Sequence, residues 1–135
     1  MPTIRLVLIL ILTANLAAGC ATSSFRDFFL TRTAGSSYLE EGIRNYEEGN
    51  YRTSARRFQY ALEEGLSRPD RVEAHKYLAF IACVSGQQLT CREEFSIALE
   101  LDSSFELDPA EAGHPIWGPV YKSVKAKHKV MDVAR

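Results

Sequence analysis

Charge of one sign is the first thing this sequence lacks. Sixteen Lys and Arg face seventeen Asp and Glu, a formal net charge of −1. Without a positive field to hold a phosphate backbone, nucleic acid is excluded as the expected partner. Recognisable reaction chemistry is missing as well. His75, His114 and His128 share no ligand spacing, and the chain has no Gly-x-Ser-x-Gly, phosphate loop or His-Glu-x-x-His arrangement. The expectation is a protein with no catalytic residue, no metal, no small-molecule substrate and no cofactor beyond a covalent lipid. Long apolar runs are also absent after Cys20, where nothing approaches the roughly 20 residues a second membrane span requires.

What is present begins at the amino terminus. Arg5 precedes an apolar run from Leu6 to Leu12, and small residues lead to Gly19-Cys20. That order of charge, short apolar core and small-residue boundary reads as a secretory signal. Residues 16 to 20, Leu-Ala-Ala-Gly-Cys, resemble a bacterial lipoprotein box. Ala17 stands three before the cysteine, and Leu16 sits one place earlier than usual. The resemblance implies that Cys20 becomes the diacylglyceryl-bearing new N-terminus. Each buried methylene contributes about 0.8 kcal/mol, so several acyl chains give a stable anchor. Ala21 after the acylated cysteine, rather than Asp, is compatible with the outer membrane. Removing residues 1–19 from 135 leaves 116, enough for one small domain. Residues 20–36 read as the lipidated terminus and a spacer, interrupted by Phe25, Phe28, Phe29 and Leu30, which either dock on the domain or sit near the lipid.

Beyond residue 36 the punctuation is helical. Ser37 with Glu40, Asp70 with Glu73, and Thr90 with Glu93 have capping-box spacing. Asn50 and Asp108-Pro109-Ala-Glu111 offer two further starts. Gly49, Gly65 and Gly86 stand where helices should stop. The fold class expected is all-α. Two segments also match each other: Gly49, Ser54, Phe58, Ala61, Leu62 and Glu63 return as Gly86, Cys91, Phe95, Ala98, Leu99 and Glu100, always 37 residues on. That offset is close to a helix-turn-helix period with about three extra residues in the connection.

On these residues the chain resembles tetratricopeptide repeats: Gly42, Gly49-Asn-Tyr51, Ser54, Phe58 and Ala61-Leu62 in one, Leu78-Ala79, Ala82, Gly86, Cys91, Phe95 and Ala98-Leu99 in the next. Glu41 and Asn45 depart from the pattern, occupying positions normally apolar or aromatic. Two hairpins are expected over 37–102, with helices 71–85 and 91–102 forming the second. Residues 103–135 should supply a capping segment and a last helix starting near Pro119. The resemblance implies a partner-binding concave face made by the first helix of each hairpin, carrying Leu39, Ile43, Tyr46, Lys76, Phe80 and Cys83. Ordinary packing is the competing role, favoured for Phe80 and Cys83. Trp117 and Tyr121 either form an aromatic hot spot or cover the end of the core.

With Cys20 taken by lipid, Cys83 and Cys91 remain as a pair in an oxidising compartment. They are disulfide candidates, near the end of one helix and the start of the next. Two buried thiols are the alternative, and metal binding with His75 would supply only three ligands. Acidic pairs such as Glu40-Glu41, Glu47-Glu48 and Glu63-Glu64 precede the lysines 122, 125, 127 and 129, and read as solvated helix surface.

A narrower similarity adds the function. The lipoprotein box, His75-Lys-Tyr-Leu-Ala-Phe-Ile81, Cys91-x-x-Glu-Phe95, Phe105-x-Leu and Glu111-Ala-Gly-His-Pro-Ile-Trp-Gly-Pro-Val-Tyr121 together resemble small tetratricopeptide lipoproteins associated with bacterial type VI secretion. The resemblance implies an accessory outer-membrane lipoprotein that faces the periplasm and binds a protein of the secretion machine. Other readings are a pilotin-like or outer-membrane assembly lipoprotein and, from a different class, a small envelope hydrolase or metal carrier built on His75, Cys83 and Cys91.

Overall fold

Glycine sets the layout of this chain. The computed structural model describes residues 34–134, and the secretory signal, Cys20 and the Phe25–Leu30 cluster lie outside them. Six helices run in order: α1 Ala34–Glu47, α2 Tyr51–Glu64, α3 Arg68–Val84, α4 Gln88–Leu101, the short α5 Pro109–Ala112 and α6 Gly118–Val133. No strand occurs among the described residues. Gly49 and Gly86 close α1 and α3 with φ of +77° and +76°, a left-handed position that costs glycine little. Each turn repeats the same pair of bonds. The Gly49 amide donates to the Tyr46 carbonyl at 3.0 Å and the Asn50 amide to Asn45 at 2.8 Å. Thirty-seven residues later, Gly86 donates to Cys83 at 3.1 Å and Gln87 to Ala82 at 2.9 Å. This is the Schellman closure, which satisfies carbonyls left over at a helix end.

The expected all-α architecture is therefore observed, with two matching hairpins. α2 and α4 also begin and end 37 residues apart, at Tyr51 and Gln88, and at Glu64 and Leu101. The N-terminal boundaries differ from the capping-box expectation. α1 already includes Ala34–Ser36, because Gly35 fits against the α2 backbone, where a Cβ would stand 2.6 Å from the Ala61 carbonyl oxygen. α3 starts at Arg68 rather than 71. The Ser67 side chain accepts from the Asp70 amide at 3.3 Å, and Pro69 occupies the first turn, where its missing N–H costs nothing. α4 starts at Gln88, so Thr90 lies inside it, because the Gly86 turn delivers the chain into helix immediately. At α5 the capping box of Asp108 and Glu111 is formed.

α1 packs mainly on α2 and α3 mainly on α4; α3 also touches both helices of the first hairpin, and α6 lies on α4. Phe58 and Phe95, equivalent by the 37-residue offset, are fully buried. Each ring meets an aromatic of the next layer: Phe58 stacks on Tyr77 at 5.3 Å, and Phe95 meets Tyr121 of α6 edge-on at 5.4 Å. Fully burying such a side chain is worth about 1.5–3 kcal/mol. The hairpins are tied differently where the repeat places Ser54 and Cys91. The buried Ser54 hydroxyl donates to the Gly42 carbonyl at 2.7 Å, whereas Cys91 faces Cys83 at disulfide-bonding distance with Cα atoms 5.1 Å apart. Gly42 is needed where it stands, since a Cβ there would lie 2.6 Å from the Phe58 ring. The repeat departures are local polar contacts: Glu41 pairs with Arg57 at 3.1 Å, and the Asn45 amide donates to the Glu41 carbonyl at 2.7 Å.

The segment after α4 lies along α6. Leu107 is buried, the Tyr121 hydroxyl donates to the Phe105 carbonyl at 2.8 Å, and Lys125 donates to the same oxygen at 2.9 Å. Lys125 also pairs with Glu106, holding that carboxyl below its ordinary range.

Candidate partner-binding face

A row of rings crosses the face made by α1 and α3. Tyr51 lies 5.4 Å from Tyr46, Tyr46 is 4.9 Å from Tyr77, and Tyr77 is 5.9 Å from Phe80. Phe80 stacks on Trp117 at 4.4 Å, and Trp117 on His114 at 3.3 Å. The row arises because the 3.6-residue period places Lys76, Tyr77 and Phe80 near one face of α3, while the Gly49 turn brings Tyr46 and Tyr51 together. Offset and edge-on ring pairs each add about 0.5–1.5 kcal/mol beyond area burial, so the row is rigid.

Lys76 runs alongside these rings, its ammonium 4.7 Å from the Tyr77 centroid. It binds a Glu111 carboxylate oxygen at 3.0 Å. The other oxygen of Glu111 accepts from the Asp108 amide at 3.1 Å, and the Glu111 carbonyl accepts from the Trp117 indole at 2.9 Å. Glu111 thus ties α3, α5 and the start of α6 together. Burial alone would lower the Lys76 pKa, but the bond to Glu111 and the charges of Glu111 and Glu73 outweigh it and raise it. A lysine held cationic in this way is a poor nucleophile or base. Burial, reinforced by Tyr51, Tyr77 and Glu111, pushes the Tyr46 phenol up to about 12.

The structure sorts the sequence candidates. Tyr46 and Lys76 are half-buried on this face, and Ile43, also half-buried, packs against the cluster of Leu39 and Phe58. Leu39, Phe80, Trp117 and Tyr121 belong to the interior: for Phe80 this is the packing role favoured from the sequence, for Trp117 and Tyr121 it is the core-covering alternative, and for Leu39 it replaces the expected partner contact. Leu39 packs with Phe58 and Leu78, and the other three join the cluster around Phe95 and Cys91. Phe80 is covered by the C-terminal segment, which lays Trp117 over it at 4.4 Å. Cys83 is buried in the same cluster. His75 does not converge with the two cysteines; its Nδ1 meets Glu94 at 2.6 Å, and no group of three or more metal-ligating side chains occurs among the described residues. Tyr77, Tyr51 and the triple role of Glu111 were missed in the sequence. Tyr77 was detectable as the neighbour of Lys76 on the inner helix, whereas nothing in the spacing joins residue 76 to residue 111.

A separate cleft of about 550 Å³ lies between α4 and α6, with Glu100, His128 and Asp132 among its lining residues. There His128 is held by Asp132 at 3.2 Å. Comparison with protein-family models, curated proteins and solved structures gave no match.

Proposed function

We propose that this chain is a lipid-anchored, periplasm-facing scaffold of tetratricopeptide type that docks a protein component of an envelope machine. An accessory role at the outer membrane in type VI secretion is the specific form. The supporting observation is the paired hairpins with equivalent turns, 37 residues apart, with Tyr46, Tyr77 and Phe80 of their first helices at the centre of one aromatic row. In such an array each hairpin buries its apolar face against the next, leaving the inner helices to a partner. The third layer is supplied by α6 in place of a complete third hairpin.

The partner meets the part of the row that the C-terminal segment leaves accessible. Tyr46, Tyr77 and Tyr51 provide rigid aromatic area, and Glu47 and Glu73 flank it, so an apolar side chain with a neighbouring cation is a suitable anchor. Tethering through Cys20 confines the domain near the membrane and raises its effective concentration toward other envelope proteins. The work is docking, with no bond made or broken.

The test is photo-crosslinking in cells from residues 46, 51 and 73, with residue 59 on α2 as a control. Trapping a type VI core or membrane-complex subunit from the first three, and not from the control, supports the reading. Trapping a pilus secretin or barrel-assembly subunit transfers the chain to a pilotin or assembly role. No specific adduct from any of the three overturns the docking face.

A further inference from the structure

The last helix carries a second amphipathic pattern on the side facing away from the core. Tyr121 and Val124 point inward and are buried. On the opposite side, Pro119, Ala126, Val130 and Val133 form an exposed strip, with Val130 and Val133 at 70% and 83% exposure. At 100° per residue, Lys122 and Lys129 border this strip on one side and Lys127 on the other. All three lysines are exposed.

Charge along the chain is segregated accordingly. Residues 34–117 hold eight Lys and Arg against fifteen Asp and Glu, a net −7. α6 holds four lysines against Asp132, a net +3. The near-neutral total conceals a strongly acidic body ending in a basic helix.

We propose that the outer face of α6 rests on an anionic phospholipid surface, with the valines at headgroup depth and the lysines bracketing them. Two features favour a lipid surface over a protein. The strip is the convex outer side of a single helix, with no groove to receive a partner helix, and it is narrow and bordered by cations, as in helices lying in the interface plane. Each lysine near an anionic leaflet gains about 1 kcal/mol. The strip of small apolar groups adds little, so the contact is weak alone and effective only for a tethered domain. This inference rests on the anchored reading above. Its consequence is orientation: α6 faces the lipid, and the acidic body is repelled from it.

The test uses the full acylated protein in vesicles of neutral phosphatidylcholine, or of phosphatidylcholine with one quarter phosphatidylglycerol, containing brominated acyl chains as quenchers. Val130→Trp reports on α6 and Gln59→Trp on α2, with Trp117 as the common background. Quenching of the residue-130 probe on anionic vesicles, much weaker quenching on neutral ones and none at residue 59 are expected. Lys122→Gln with Lys129→Gln should lower occupancy of the surface state by about thirtyfold. Equal quenching on neutral lipid, no quenching on anionic lipid, or a photo-crosslink from residue 130 to protein in cells overturns the proposal. Failure of the anchor is distinguishable, because the protein then no longer floats with neutral vesicles. In that case the unacylated chain is coupled through Cys20 to a maleimide lipid in the same two vesicles; quenching of the residue-130 probe on anionic lipid only supports the α6 contact, and its absence there overturns it.

Discussion

Reducing the pair Cys83 and Cys91 should lower stability by an amount set mainly by the loop it closes. The cysteines are eight apart in sequence, so the closed loop has about nine residues, and the loop-entropy relation gives about 2.6 kcal/mol at 25 °C. For a domain of about 100 residues, each kcal/mol corresponds to roughly 4–8 °C in Tm, so the reduced protein should melt about 10–20 °C lower. Both sulfurs are buried in the cluster around Phe95, and reduction leaves them in place. Comparing oxidised with reduced protein therefore isolates the cross-link from packing. The double variant Cys83→Ala with Cys91→Ala should lose more, because it also leaves two small cavities. The assay is urea and thermal unfolding followed by far-ultraviolet circular dichroism, with alkylation under denaturing, non-reducing conditions to count thiols. Coincident unfolding curves with and without reductant, or alkylation of both cysteines before reduction, would refute the reasoning.

Three other outcomes follow from the geometry. Gly42→Ala should cost about 1–3 kcal/mol by forcing a Cβ into the Phe58 ring, whereas Gly49→Ala meets open space and pays only for its positive φ, about 1–2 kcal/mol; equal urea midpoints for wild type and Gly42→Ala would contradict the packing. The Tyr46 phenol, raised from 10.0 to about 12, favours the folded state fully below pH 10, and that contribution is lost as pH rises toward 12. Lys76, raised above 10.5, acts in the same direction at higher pH. Tyr46→Phe should therefore flatten the fall in stability between pH 10 and 12, and an unchanged slope counts against the burial of that hydroxyl. Finally, Cys20→Ser should move the protein from the membrane to the soluble fraction on cell fractionation, and unchanged partition removes the anchor.

Helix ends were easier to read than helix beginnings. Glycine at 49 and 86 has one strong reason to stand there, a left-handed residue after a helix, and the structure uses it so. Ser37, Asp70 and Thr90 have many reasons to be on a helix surface, and their capping spacing with a later Glu was coincidental. The spacing marked a true start only at Asp108, where Pro109 reinforced it. The 37-residue offset correctly paired Phe58 with Phe95, and the helix turning back at Gly86 put Cys83 near Cys91, because both are consequences of hairpin geometry local in sequence. The face itself was harder. Lys76 and Phe80 were placed on the inner helix, but the cover over them comes from Glu111 and Trp117, about thirty to forty residues later, and no periodic signal links such distant positions.

Because helices pack chiefly on their neighbours in sequence, the chain should not lose structure all at once. α1 and α2 have a helical partner on one side only among the described residues, and they are joined by a single serine hydroxyl where the next hairpin places its paired sulfurs. Hydrogen exchange should accordingly grade along the chain, fastest in the first pair, slowest around Phe95. A transiently opened first pair would leave α3 and α4 intact beneath it.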